Sequence, residues 1–152
     1  MFHSRKLNNR IDKIHERALR LVYKDYTSSF DDLLAKDNSF KIHQRNLQKL
    51  AIEIFKVKKG IAPAIMNSVF ELNDNPYPLR NDMALFKSRN VRTVRYGIET
   101  ASFVGPRIWN SLPQEIKEST SLQIFKSKIK SWTPKNCPCK LCKNYIQHLG
   151  YL

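Results

Sequence analysis

The sequence has 152 residues, of which 41% are hydrophobic, enough for a folded core, and this composition excludes a wholly disordered chain. Lysine and arginine number 27 against 13 aspartate and glutamate residues, a formal net charge of +14, while only four glycines argue against a glycine-rich phosphate loop and a turn-dense β fold. This positive excess favours binding of a polyanion, most simply nucleic acid, over the alternative of a general basic bias.

No run of 18 apolar residues occurs, so the sequence predicts no membrane span and no membrane partner. The segment Met1–Arg10 lacks the apolar stretch of a secretory signal. Three cysteines, an odd number without a secretory context, favour a reducing compartment. We therefore expect an intracellular protein of the nucleus or the cytoplasm.

The first predicted element is an amphipathic helix over Leu7–Lys24. Its basic face is typical either of a solvated surface or of a surface that contacts phosphates, and the pattern leaves both open. The apolar stripe comprises Ile11, Ile14, Ala18, Leu21 and Val22, and the basic face comprises Arg10, Lys13, Arg17, Arg20 and Lys24.

Three further helices are predicted before residue 73. The segment Ser29–Asp32 resembles a capping box with aspartate in place of glutamate, so a short helix should follow it. Ser39 is expected to cap a long helix over Phe40–Lys59, with Gly60 at its C′ position. Pro63 suits the first turn of the last of the three.

Beyond residue 72 the pattern changes. Two prolines and three asparagines in residues 73–81 indicate a linker. We expect a mainly α chain: a thumb-like or accessory helical bundle over residues 1–72, a linker over 73–84, a mixed helical region over 85–134 and a basic tail over 135–152.

The mixed region should hold a short β-hairpin and two helices. Within Leu85–Tyr96, β-branched and aromatic residues are mixed with basic ones and predict one or two short strands, a possible hairpin. Thr100 or Ser102 would cap a helix through Trp109 that is interrupted near Gly105–Pro106. A single helical turn fits Pro113–Ser119, and Ser121 caps the final helix. That helix carries Leu122, Phe125, Ile129 and Trp132 on one face and Lys126, Lys128 and Lys130 on the other.

Catalytic motifs are absent from the sequence: it has no Walker loop, no dinucleotide fingerprint, no Gly-x-Ser-x-Gly elbow and no His-Glu-x-x-His pair. The adjacent carboxylates Asp31 and Asp32 lie in the first turn of a predicted helix, where they suit the helix dipole better than a metal site. We therefore predict no catalytic residues in this chain on its own.

The cysteines cluster near the end of the chain, and His148 follows them. Together they supply four potential zinc ligands. Zinc prefers four thiolate or imidazole ligands in a tetrahedron, so the cluster is a candidate zinc site. The alternative is a reduced-cysteine tail that packs on the last helix. The potential ligands are Cys137, Cys139, Cys142 and His148.

Basic residues on the predicted helical faces and in the hairpin are the candidates for contact with RNA or DNA. Tyr96 is the best candidate to stack on a base, whereas Trp109 and Trp132 occupy apolar positions typical of core packing. The candidate phosphate-binding residues are Arg17, Arg20, Lys24, Lys56, Lys58, Lys59, Arg92, Arg95, Lys126 and Lys130.

Seven stretches, taken together and in order, resemble the C-terminal region of non-LTR (LINE-type, jockey-like) retrotransposon reverse transcriptases, and they cover essentially the whole chain. They are Leu7–Ile11, Ile14–Arg20, Ser28–Leu34, Arg45–Glu53, Gly105–Pro113, Phe125–Trp132 and Cys137–Tyr145.

The resemblance implies a region that lies C-terminal to the polymerase palm and helps to hold template RNA and target DNA. In that family an aromatic-x-Asp-Asp motif in the palm binds the catalytic metals, and this sequence has none, because Asp31 and Asp32 follow Ser29 and Phe30 in another context. The resemblance also implies a 5′-truncated copy whose reading frame begins at an internal methionine. The Cys/His tail would be a nucleic-acid-binding knuckle, although its spacing departs from the wider Cys-Cys-His-Cys pattern.

Two interpretations follow. The first is a non-catalytic fragment of an RNA-directed DNA polymerase that binds RNA or DNA non-specifically, with zinc as its one potential cofactor. The second is a structural remnant without independent activity, whose apolar faces pack on the missing polymerase domain.

Overall fold

The computed structural model describes residues 5–73, 86–87, 91–93, 97 and 100–132. Over these residues the chain is mainly helical, as predicted. It divides into two compact units, residues 1–46 and 47–152. The helices are α1 (Arg5–Tyr23), α2 (Phe30–Asp37), α3 (Ile42–Lys58), α4 (Ile65–Val69), α5 (Ala101–Ser111), α6 (Gln114–Lys117) and α7 (Leu122–Ser131).

The predicted linker and tail lie outside the described residues, apart from Asn73, so the domain boundaries stay predictions. Most of the predicted hairpin also lies outside them. Phe86, which is described, forms an isolated antiparallel bridge with Leu72. Beside this bridge, the Lys87 N–H donates to the Glu71 carbonyl at 2.9 Å.

The first unit is built on a small apolar cluster between α1 and α2. Leu19, Leu33 and Leu34 are buried, and Tyr23 and Phe30 pack against them. Leu33 is fully buried, so its removal from water contributes about 2 kcal/mol to folding.

Local capping fixes α2 at both ends. The Asp32 N–H donates to Ser29 Oγ at 3.2 Å, and the Ser29 N–H donates to the Asp32 carboxylate at 3.2 Å. These reciprocal bonds confirm the predicted capping box. Asn38, in the left-handed region at φ 52°, ends the helix.

The face of α1 that packs in the first unit is not its apolar stripe. Leu19 is buried and His15 contacts Phe30 edge to face, with ring centroids 5.8 Å apart. Ile14 and Leu21 are each 67% exposed. An amphipathic helix ordinarily buries such a stripe, so α1 carries an apolar surface beyond the one that its own unit covers.

The start of α3 corrects the predicted cap. The helix begins at Ile42 rather than at Phe40, and the Ile42 N–H donates to Asp12 Oδ1 of α1 at 3.1 Å. The first N–H groups of a helix have no partner within it, and a carboxylate there also meets the positive end of the helix dipole. Asp12 therefore supplies from another helix what Ser39 was predicted to supply locally.

Aromatic rings form the core of the second unit. Phe55 of α3 stacks on Phe125 of α7 with centroids 4.3 Å apart, and Phe125 lies 6.2 Å from the nearly parallel ring of Trp109 on α5. Phe86 meets Trp109 edge to face at 5.9 Å, and Phe70 meets Phe86 at 6.4 Å. All five rings are at most 1% exposed. The predicted core position of Trp109 is thus confirmed, as is that of Trp132, which is buried too.

Helix α5 passes through Gly105 and Pro106 without a break, which corrects the predicted interruption. Proline removes one backbone donor and would ordinarily disrupt a helix interior. Here Pro106 itself is buried, as are Val104, Gly105 and Ile108, and this packing offsets the lost hydrogen bond. Gly105 allows the close approach, since a Cβ there would meet the Phe70 ring and lie 3.0 Å from Ile54 Cδ1.

We expect Gly105→Ala to destabilise the protein by about 1–3 kcal/mol, because the added methyl group overpacks the contact with Phe70. Helix propensity alone would make the alanine variant more stable than the wild type by about 1 kcal/mol. The sign of the measured change in the free energy of unfolding therefore separates overpacking from helix propensity. Urea denaturation followed by circular dichroism measures it. Asn110→Ala, at an exposed position of the same helix, is the control and should change stability by less than about 0.5 kcal/mol. A Gly105→Ala protein as stable as the wild type would contradict the close packing.

We expect Asp12→Ala to lower the free energy of unfolding by about 1 kcal/mol, the usual effect of removing a helix cap. Asp12→Asn keeps an oxygen acceptor for the Ile42 N–H and should retain most of that stability. The measurement is the midpoint of chemical denaturation of the two variants. Equal losses in both would assign the effect to charge rather than to the hydrogen bond.

Candidate nucleic-acid interface

Helix α1 presents an exposed basic strip beside its apolar stripe. At 3.6 residues per turn, Lys6, Lys13, Arg17 and Arg10 fall on adjacent positions around the helix, and all four are exposed. Each carries a long side chain that can reach a phosphate. The strip includes Arg17 of the predicted binding residues.

The other two predicted binding residues of the first unit, Arg20 and Lys24, do not lie on the exposed basic strip of α1. Arg20 is half-buried, and its Nη2 donates to Glu16 Oε1 at 2.8 Å. That pair partly neutralises Arg20, so we expect it to contribute less to phosphate contact than Arg17. Lys24 is exposed just beyond the helix end, with φ 50°.

The turn after α1 holds a carboxylate with several donors. Asp25 accepts from the Ser28 hydroxyl at 2.7 Å, from the Ser28 N–H at 3.0 Å and from the Thr27 N–H at 3.2 Å. The Ser28 hydroxyl is the largest cause of a lowered pKa for Asp25, about 2, followed by these backbone bonds and, more weakly, the charge of Lys36. Asp25 therefore stays ionised and tied to its own turn.

The basic residues at the end of α3 are engaged within the second unit. Lys56 pairs with Glu53 at 2.8 Å. Lys58 donates to the Lys117 carbonyl at 3.2 Å and lies over the Trp109 ring at 5.4 Å. Lys59 lies 5.7 Å from the centroid of Phe55. Lys58 and Lys59 thus place their ammonium groups over rings of the aromatic core, a favourable cation–π arrangement.

Sequence reasoning missed the structural role of two further lysines around α6. Lys117 Nζ donates to the Asn110 carbonyl at 3.1 Å, and Lys128 Nζ donates to the Glu115 carbonyl at 2.9 Å. Together with Lys58, they satisfy backbone carbonyls near the ends of short helices, a known use of lysine. The signal available in the sequence was the concentration of lysines near predicted helix ends.

Lys117 has a lowered pKa. Burial disfavours its ammonium form first, and the nearby charge of Lys58 adds to the effect. The side chain is nearly covered, since the residue is 8% exposed. Lys117 is thus a poor candidate for phosphate contact, although it is basic.

Helix α7 presents two of the exposed cations of the second unit. Phe125 and Ile129 are buried on one face, while Lys126 and Lys130 are exposed on the other. The end of the helix is held by Gln48, whose Nε2 donates to the carbonyl oxygens of Lys130 at 3.3 Å and of Trp132 at 3.2 Å. Two exposed ammonium groups therefore project from a fixed helix.

The remaining predicted residues divide between described and undescribed parts of the chain. Arg92 is exposed. Arg95, Tyr96 and the four potential zinc ligands Cys137, Cys139, Cys142 and His148 lie outside the described residues, so their roles stay predictions. Over the ranges that the structure does describe, no group of three or more His, Cys, Asp and Glu side chains is placed to hold a metal ion.

Comparisons with protein-family models, with curated proteins and with solved structures find no match to this chain. Among the described helices, none has both the length and the apolar character needed to cross a bilayer.

We expect the Asp25 carboxyl group to titrate at about pH 2 in the folded protein. Because its folded pKa lies below its unfolded value, Asp25 stabilises the fold at higher pH, and this contribution is lost as pH falls from about 4 through about 2. Ser28→Ala should raise the pKa toward 3.8. Thr27→Ala, which removes a hydroxyl 3.4 Å from Asp25, should have the smaller effect. Carboxyl carbon chemical shifts against pH measure both, and an unchanged pKa in Ser28→Ala would contradict the assigned cause.

Proposed function

We propose that this chain is a non-catalytic fragment that corresponds to the C-terminal region of a non-LTR, jockey-like retrotransposon reverse transcriptase, and that it binds RNA or DNA through basic helical faces. The binding is to phosphates and is not specific for sequence. The observation that best supports this proposal is that packed helices hold exposed cations, chiefly Arg17 on α1 and Lys126 and Lys130 on α7.

The charge balance supports this proposal. The chain carries a net charge of +14, and a protein that neutralises phosphates releases condensed counterions, which drives binding. The seven ordered stretches that resemble the retrotransposon family supply the choice of RNA and DNA as the polyanions. The proposed location is the nucleus or the cytoplasm, where those partners occur.

The chain by itself is proposed to have no polymerase activity, because the aromatic-x-Asp-Asp motif of the family is absent from its sequence. A primer-extension assay with Mg²⁺ should yield no product. We also propose that the missing polymerase domain is a partner of this chain and that zinc is a cofactor of its Cys/His tail. Neither proposal depends on the absence of polymerase activity. Metal content of the purified protein, compared with Cys139→Ser, tests the zinc site.

We expect labelled single-stranded RNA to bind with a logarithmic affinity that falls linearly as the logarithm of salt concentration rises. Replacing Arg17, Lys126 and Lys130 by Gln should reduce the slope by about 0.7 for each phosphate that the variant no longer neutralises. Fluorescence anisotropy over a salt series measures the slope, and duplex DNA can be compared in the same assay.

The matched control removes a cation without changing the net charge. Glu53→Gln combined with Lys56→Gln deletes a paired lysine and its partner, so the slope should stay as in the wild type. A flat salt dependence, or the absence of binding at low salt, would overturn the proposed function.

One observation favours a second candidate function, a structural remnant that normally packs on the missing polymerase palm. The stripe of α1 leaves Ile14, Leu21 and Val22 between 67% and 70% exposed. In that case the isolated chain would aggregate or lack fixed tertiary packing. A cooperative thermal transition of a monomeric protein would count against this candidate.

A further inference from the structure

The apolar stripe of α1, exposed except for half-buried Ile11, has the spacing of a helix-docking seam. Leu7, Ile11, Ile14, Ala18 and Leu21 follow one another at intervals of four, three, four and three residues. This alternation is that of the a and d positions along a coiled coil, where each side chain enters a gap between side chains of the facing helix. The stripe therefore fits a second helix laid along α1.

The two edges of the stripe differ. On a helix of 3.6 residues per turn, Ile11 and Val22 lead to the packed face, where His15 and Leu19 meet the rest of the first unit. On the opposite edge, Leu21 is followed around the helix by exposed Arg10 and then by exposed Arg17. A helix docked on the stripe would thus have the body of the unit on one side and positive charge on the other.

The acids of α1 do not offset that charge. Asp12 accepts from the Ile42 N–H at 3.1 Å, and Glu16 pairs with Arg20 at 2.8 Å. Both lie away from the Arg10 edge of the stripe. The open flank of the seam is therefore positive along its length.

We propose that the α1 stripe binds an amphipathic helix of a partner protein, one whose apolar seam is bordered by glutamate or aspartate. Charge complementarity selects this occupant, because flanking charges choose the partner in helix pairing. A second copy of this chain would bring a strip with the same positive charge and a body of net charge +14. The chain's own residues 135–152 carry three lysines and no acid, so they do not supply the acidic flank.

The proposed helix site shares Arg17 with the proposed nucleic-acid surface, but its apolar side chains can be tested without changing any charge. Ile14→Ser combined with Leu21→Ser removes two exposed apolar groups and keeps every charge. This double variant should bind labelled RNA as the wild type does, whether or not the helix proposal holds. The two proposals can therefore fail separately.

The test uses a fluorescent synthetic peptide of about four heptads with leucine at a and d and glutamate at e and g. The full chain should bind this acidic peptide, and the Ile14→Ser, Leu21→Ser variant should bind it at least about tenfold more weakly, a loss of about 1.4 kcal/mol. Arg10→Gln combined with Arg17→Gln is a second variant that leaves the apolar seam intact. It should weaken binding about threefold or more and reduce its salt dependence.

Controls decide between this partner and others. A peptide with lysine at e and g should bind at least about tenfold more weakly, and the thermal melt of each variant should match the wild type, since the replaced residues are exposed. No binding of the acidic peptide, or equal binding by the stripe variant, would overturn the proposal. Self-association of the chain through the stripe would also overturn it, as would stripe-dependent binding to phosphatidylglycerol vesicles without peptide binding.

Discussion

Phe125 stacks on the ring of Phe55 and lies 6.2 Å from the nearly parallel indole of Trp109, and this stack joins three helices that are distant in the sequence. The organisation of the second unit depends on it. Gly105 lets α5 approach Phe70 and Ile54 closely, and Lys58 Nζ lies over the Trp109 indole at 5.4 Å. Lys58 and Lys59 therefore have aromatic rings of this core beneath their ammonium groups.

This arrangement separates two kinds of basic residue. Lys58, Lys117 and Lys128 donate to backbone carbonyls at 2.9–3.2 Å, so their ammonium groups already have partners in the fold. Lys126 and Lys130 project from the exposed face of α7. Lys58, Lys117 and Lys128 keep their charge but hold their ammonium groups at fixed positions in the fold, whereas Lys126 and Lys130 are exposed on α7.

The helix caps made by nearby residues could be predicted from the sequence, because the capping residue and the helix end that it caps lie within one turn of each other. The Ser29–Asp32 capping box, the C′ glycine at Gly60 with φ 68° and the Ser121 cap all have this property. The start of α3 could not be predicted, because its cap comes from Asp12, 30 residues before Ile42. The break predicted at Pro106 was wrong for a similar reason, since burial of neighbouring residues outweighs the local preference.

In the candidate nucleic-acid interface too, features set by nearby residues could be predicted and features set by distant contacts could not. Periodicity alone predicted the exposed positions of Arg17, Lys126 and Lys130. The engagement of Lys58 with the Lys117 carbonyl depends on contacts made 59 residues apart, which periodicity does not contain. The orientation of α1 also escaped prediction, because the helix has more apolar surface than one packed face uses.

The bond between Asp12 and Ile42 has a consequence for the order of folding. Because its two ends are 30 residues apart, the chain between them must close into a loop before the bond can form, and such closure costs conformational entropy. Helix α2, capped by its own neighbours, can form early, whereas the first turn of α3 gains its carboxylate partner only after α1 has docked. We therefore expect the first turn of α3 to be a late step, and destabilisation there to act mainly on the unfolding rate.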